Sequence, residues 1–87
     1  MRCGEVLAVE RTMRLADLRP GVGAEIRALS GHPAFRRRML GLGITPGSLV
    51  QVLRAMPCGG PLEIEARGTR LALRLADAQR ITVAVRT

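Results

Sequence analysis

From Val50 onward the chain changes side at almost every residue. Val50 and Val52 alternate with Gln51 and Leu53, and Leu62, Ile64 and Ala66 with Glu63, Glu65 and Arg67. Leu71, Leu73 and Leu75 alternate with Ala72 and Arg74, and Ile81, Val83 and Val85 with Thr82, Ala84 and Arg86. Successive side chains of a strand point to opposite faces, so a period of two over short runs calls for four strands, each with one apolar face. A fifth run, Ala24 to Leu29, sets Ile26 and Ala28 against Glu25 and Arg27. Turn residues separate the runs. Pro57-Cys58-Gly59-Gly60-Pro61 reads as a hairpin loop and Gly68-Thr69 as a tight two-residue turn. Pro20-Gly21 and Pro46-Gly47 suit type II turns, because proline presets its φ and the following glycine accepts a positive one.

Five short one-sided strands in 87 residues cannot stay an open sheet, which would leave both edges and an apolar face in water. The pattern predicts a mostly β fold: a small SH3-like barrel of five short strands, with one inserted α-helix at about residues 33–42 and short helical turns. The helix rests on Pro33 at a first helical position, on Phe35, Met39 and Leu42 at i, i+4 and i+7, and on Gly43 as a left-handed C-cap. Thr12 to Leu18 reads as one helical turn, with the Thr12 hydroxyl as N-cap and Leu15 and Leu18 as its apolar pair. Leu75 to Gln79 reads as another. Glu5 to Glu10 fits a frayed extension or an extra edge strand, so the expected organisation is an N-terminal extension over 1–11 and a single domain over 12–87. Met1-Arg2-Cys3-Gly4-Glu5 has no apolar run behind its charge, so no secretory signal is expected and the expected location is cytoplasmic.

Chemistry is sparse. Ser30 and Ser48 are the only serines, His32 the only histidine and Cys3 and Cys58 the only cysteines. No catalytic signature joins them, and Gly41-Leu42-Gly43 lacks the third glycine and the lysine of a phosphate loop. Glu63 and Glu65 share an outward strand face, where solvation is the ordinary role. A structural metal site needs four well-spaced ligands, so neither a resident metal nor another cofactor is expected. Ligands from Cys3, Cys58 and His32 would have to meet between subunits.

The formal charge is +7, and all 14 basic residues are arginine, a bias that a GC-rich genome accounts for. Such a charge favours phosphate neutralisation, which keeps a nucleic-acid-binding barrel as an alternative. Against it, Phe35 is the only aromatic residue, and single-strand binding relies on aromatic stacking. The one concentrated run is Arg36-Arg37-Arg38. At 100° per residue these side chains fan over the solvent side of the helix, where they are either a solvated face or a contact for an acidic partner.

The order of motifs carries a resemblance. Leu15-x-x-Leu18-x-Pro20-Gly21 is followed by Arg37-Arg38-Met39-Leu40-Gly41-Leu42-Gly43-Ile44-Thr45-Pro46-Gly47-Ser48, then Gly60-Pro61-Leu62-Glu63-Ile64, then Gly68-x-x-Leu71-x-Leu73-Arg74. From about Met13 to Val85 this succession resembles the ferrous iron transport protein A (FeoA) family. Arg37 to Gly47 is its most specific part. The resemblance implies an SH3-like, non-enzymatic accessory or regulatory module of ferrous iron uptake. Its partner would be the cytoplasmic GTPase domain of a membrane ferrous iron transporter. The membrane would be contacted only through that partner, and homodimerisation is left open. The expected contact strip is Arg36, Arg37, Arg38, Leu40, Leu42 and Ile44, with Pro20, Gly21, Gly43, Pro46 and Gly47 shaping the turns around it. A basic strip with an apolar centre suits an interface in which charge steers encounter and apolar contact holds. Cys58 and the extension Met1 to Arg11 depart from the pattern of the resemblance.

Overall fold

The alternating runs pair into one antiparallel sheet. The computed structural model describes residues 10–86. In chain order the elements are β1 (Glu10–Arg14), a single 3₁₀ turn (Leu15–Asp17), β2 (Gly23–Leu29), α1 (Pro33–Gly41) and β3 (Leu49–Ala55). They continue with β4 (Leu62–Ala66), β5 (Thr69–Leu73), α2 (Leu75–Ala78) and β6 (Ile81–Arg86). The spatial order is β1-β6-β2-β3-β4-β5.

That order forces the sheet to curl. Every neighbouring pair is antiparallel, so β5 and β6 run in the same direction although three strands lie between them. In a flat sheet the end of β5 and the start of β6 would lie about 25 Å apart, from four strand spacings and one strand length. The link between them, residues 74–80, contains the turn of α2 and reaches roughly 22 Å at most. Bending brings the two ends within reach.

Two irregularities supply the bend. β2 pairs with β3 over Gly23–Glu25 and with β6 from Glu25 to Leu29, with a bulge between Ile26 and Ala28. β3 has its own bulge against β4 between Val52 and Arg54. A bulge bends its strand and re-aims the side chains beyond it. Both proline-glycine turns fasten this corner. Val22 N–H donates to the Arg19 carbonyl at 3.2 Å and Ser48 N–H to that of Thr45 at 2.9 Å, with Gly21 and Gly47 at φ +88° and +93°. Gly21 then donates to the Val52 carbonyl and Gly47 to that of Ile26, each at 2.7 Å.

The enclosed core is built on Leu15, Ile26, Val52, Ile64, Ile81 and Val83, with Phe35 and Met39 of α1 packed against them. No polar or charged residue is buried among the described residues. Any chemistry of this domain therefore belongs to its surface.

The mostly β, SH3-like architecture with its inserted helix is as the alternation predicts; several local expectations need correction. There are six strands among the described residues, the additional one being β1. Thr12 lies within β1, paired with Ala84, and is not a helix cap. The helical turn is confined to Leu15–Asp17, and β1 begins at Glu10, inside the stretch read as an extension. The rest of that stretch, with Cys3, lies outside the described residues. The β4–β5 turn is Arg67-Gly68, one residue earlier than expected, because Ala66 pairs with Thr69. The β2 bulge takes Ala28 off the inward face of Ile26, and Ala28 is exposed. Leu75 begins α2 and is not a strand residue.

Candidate functional site

Helix α1 owes its boundaries to local chemistry. Pro33, whose ring fixes φ near the helical value, occupies its first position. His32 caps it: its Nδ1 accepts a hydrogen bond from the Ala34 N–H at 3.2 Å. At the other end Leu42 is the C-cap, Gly43 takes φ +87°, and the chain closes in a Schellman motif. Gly43 N–H donates to the Leu40 carbonyl at 3.0 Å and Ile44 N–H to that of Met39 at 2.9 Å. Met39 and Ile44 are both buried, which supplies the apolar contact that accompanies this motif.

These boundaries sort the expected contact residues. Phe35 and Met39 face the core. Leu42, expected beside them, is 41% exposed, because the helix ends at Gly41 and the cap turns its side chain outward. Ile44, expected on the contact strip, is fully buried and leaves it. Arg38 is engaged within the domain: its Nη2 donates to Asp77 Oδ2 of α2 at 2.9 Å, and its guanidinium lies 5.7 Å from the Phe35 ring centre. Arg80 approaches the same ring at 5.7 Å. The side chains of Arg36 and Arg37 have no hydrogen bond, ion pair or ring contact among the described residues. Leu40, 50% exposed, follows Arg36 by four residues and Arg37 by three, so the three side chains adjoin on the helix surface. The strip that remains is Arg36, Arg37 and Leu40, with Leu42 just past the cap.

A second surface escaped the sequence pattern. The starts of β2 and β3, the β4–β5 turn and β6 enclose a groove of about 780 Å³. Its floor includes the small or branched apolar residues Ala24, Val50 and Ala84, and its lip carries Leu49, which is 72% exposed. Glu10, Glu25 and Glu65 line it, with Arg67 as their counterpart of opposite sign. Arg67 adopts φ +54° beside Gly68 at φ +78°, the pair of positive values a two-residue hairpin turn requires. Its stem lies by Gly43, where an added Cβ would come within 3.3 Å of the Arg67 Cδ.

Ion pairing is uneven over the molecule. Asp17 pairs with Arg14, Glu10 and Glu25 with Arg27, Asp77 with Arg38, and Glu63 with Arg54. Glu63 takes Arg54 in a fork at 3.0 and 3.2 Å, and its hydrogen bond and charge hold the guanidinium above its usual pKa. Glu65 is left as the one acid among the described residues with no ion pair, although Arg70 lies directly across the strand pair. No group of three histidine, cysteine or acidic side chains among the described residues is placed to hold a metal ion. Cys58 is exposed at the tip of the β3–β4 loop, at φ +60°. No helix among the described residues is long and apolar enough to cross a membrane.

The family model described as FeoA domain matches residues 13–85. An Fe(2+) transport protein A/Fe(2+) transporter FeoB fusion protein of Porphyromonas gingivalis is 32% identical over 71 residues, covering 82% of this chain and 8% of that protein. The chain thus spans under a tenth of that curated relative. A solution structure of FeoA protein from Chlorobium tepidum is 38% identical, with a TM-score of 0.79 over 84% of this chain and 70% of that one. A zinc complex of Stenotrophomonas maltophilia FeoA, described as a procaryotic SH3 domain protein, is 31% identical, with a TM-score of 0.71 over 82% of this chain and 88% of that one.

Proposed function

The chain belongs to the FeoA domain family, associated with ferrous iron transport, and on that premise we propose that it is a non-enzymatic accessory module that docks on the GTPase domain of a ferrous iron transporter. One observation carries the reading: in the Porphyromonas gingivalis relative, a segment like this chain is joined to the transporter within one polypeptide. Covalent fusion keeps two partners at a high effective concentration, an arrangement of use where the separate chains would otherwise have to meet.

The docking surface is Arg36, Arg37 and Leu40. The two guanidiniums stand on a helix whose ends are fixed and whose inner face is buried, so the backbone needs no ordering when they meet an acidic surface. Their charge speeds encounter, and Leu40 with Leu42 supplies the apolar centre. Arg38 holds the helix to α2 and is not a contact.

Binding to the purified GTPase domain, followed at two salt concentrations, tests this reading. Changing Arg36 and Arg37 together to Glu should lower the association rate by about tenfold at low salt and flatten its salt dependence. Leu40→Ser should instead raise the dissociation rate. Absence of binding in either nucleotide state overturns the reading, as does binding that the double charge reversal leaves unchanged.

A further inference from the structure

The groove beside Leu49 has no part in that docking surface, and its chemistry is of the opposite sign. On a chain of formal charge +7 it gathers three carboxylates against one arginine. Glu10 and Glu25 are held by Arg27 at 2.5 and 3.2 Å. Glu65 is not held. Arginine is the commonest charged residue of this chain and one lies opposite Glu65 in the ladder, so its lack of an ion pair does not reflect a shortage of cations. The same groove displays Leu49, the most exposed of the large apolar side chains among the described residues, over the floor of Ala24, Val50 and Ala84.

We propose that this groove binds an extended segment of a partner protein that carries an arginine or lysine next to an aliphatic side chain. The cation pairs with Glu65, and the aliphatic group packs on Leu49 and the apolar floor. Charge complementarity selects this occupant: an acidic segment would meet three carboxylates with Arg67 alone of opposite sign, and an uncharged one would leave Glu65 desolvated without a partner. Gly47 and Gly68 border the site with open space where a Cβ would be, so a backbone can approach closely there. The proposal is independent of the helix surface and does not require the transporter reading.

The test uses the full chain, isotope-labelled, and two blocked octapeptides that differ only in a central Leu-Arg-Leu or Leu-Glu-Leu. The arginine peptide should shift the amides of Gly47, Leu49 and Gly68 and bind about fivefold or more tightly than its glutamate counterpart. Glu65→Gln should shrink that preference towards unity while leaving the rest of the spectrum in place. Leu49→Ser should weaken both peptides alike, and since Leu49 is already exposed the variant folds. The proposal is overturned by shifts confined to Arg36–Leu40, by no shifts at millimolar peptide, or by a preference that survives Glu65→Gln. It is also overturned by binding that appears only after residues 1–9 are removed, which assigns the groove to the chain's own N-terminus. Concentration-dependent self-association abolished by Leu49→Ser overturns it in favour of a second copy.

Discussion

Leu40 and Leu49 are both leucines left in water, yet their surroundings are built in opposite ways. Leu40 belongs to a surface made by one stretch of sequence, with Arg36 and Arg37 one helical turn before it. Leu49 belongs to a surface assembled from β2, β3, the β4–β5 turn and β6, which carries three carboxylates against Arg67 and in which Glu65 has no ion pair. The first is positive and convex, the second mainly negative and concave. The formal charge of +7 therefore conceals a local contrast: two cations without partners side by side on the helix, and in the groove the one acid without an ion pair among the described residues. The two surfaces meet at a single place, the Schellman cap, where Gly43 ends the helix and the Arg67 stem from the groove rim lies by its Cα.

The strongest way to break the comparison is to remove the anchor of that cap. Ile44→Ala takes a fully buried side chain from the core at the point where the chain leaves the helix. It should cost about 2–4 kcal/mol in urea-induced unfolding, from lost transfer free energy and the residual cavity. If both surfaces depend on this cap, amide exchange should quicken in α1 and in the Arg67-Gly68 turn together. Quickening in α1 alone would separate them.

Gly43→Ala is a gentler cut at the same junction. The backbone sits at φ +87°, where any Cβ is strained, and the new methyl would crowd the Arg67 Cδ at 3.3 Å. A loss of about 1–2 kcal/mol is expected from the conformation alone. Because Arg67 ends in a flexible side chain it can give way, so its displacement should show as changed shifts at the groove rim. A loss of stability with no change at Gly68 would show that the groove does not sense the helix end.

The same contrast explains what could be read without coordinates. The strands whose faces alternate were legible because burial on one side leaves a period of two in the sequence. Strand β1 was not, since Glu10 to Arg14 is an edge strand in which only Met13 is even half-buried, and Thr12 offers the same signal as a helix cap. On the helix, Arg36, Arg37 and Leu40 followed from spacing. Leu42, expected on both the inner face and the contact strip, stays only on the surface, and Ile44 leaves the strip for the core, because the 3.6-residue period stops at Gly41 and a left-handed glycine then swings the next apolar residue inward. The groove left no local trace. Leu49 stands just before the alternation that begins at Val50, and Glu65 reads as an outward, solvated acid; only the curl of the sheet sets them on one groove.

The finest test concerns the two leucines themselves. Leu40→Ser and Leu49→Ser each remove an apolar side chain that is at least half exposed. Each should change unfolding free energy by no more than about 0.5 kcal/mol, the usual range for surface positions outside caps and special backbone geometry. Standing on different surfaces with no shared partner, the two changes should add in the double variant to within about 0.5 kcal/mol. Urea denaturation of the two single variants and the double variant measures both quantities. A loss above about 1.5 kcal/mol for either would mean that its surface is part of the stability core and is not held ready for a partner. Near-neutral, additive values would leave recognition as the physical reason for keeping a leucine in water at each place, with a cationic rim at one and an acidic rim at the other.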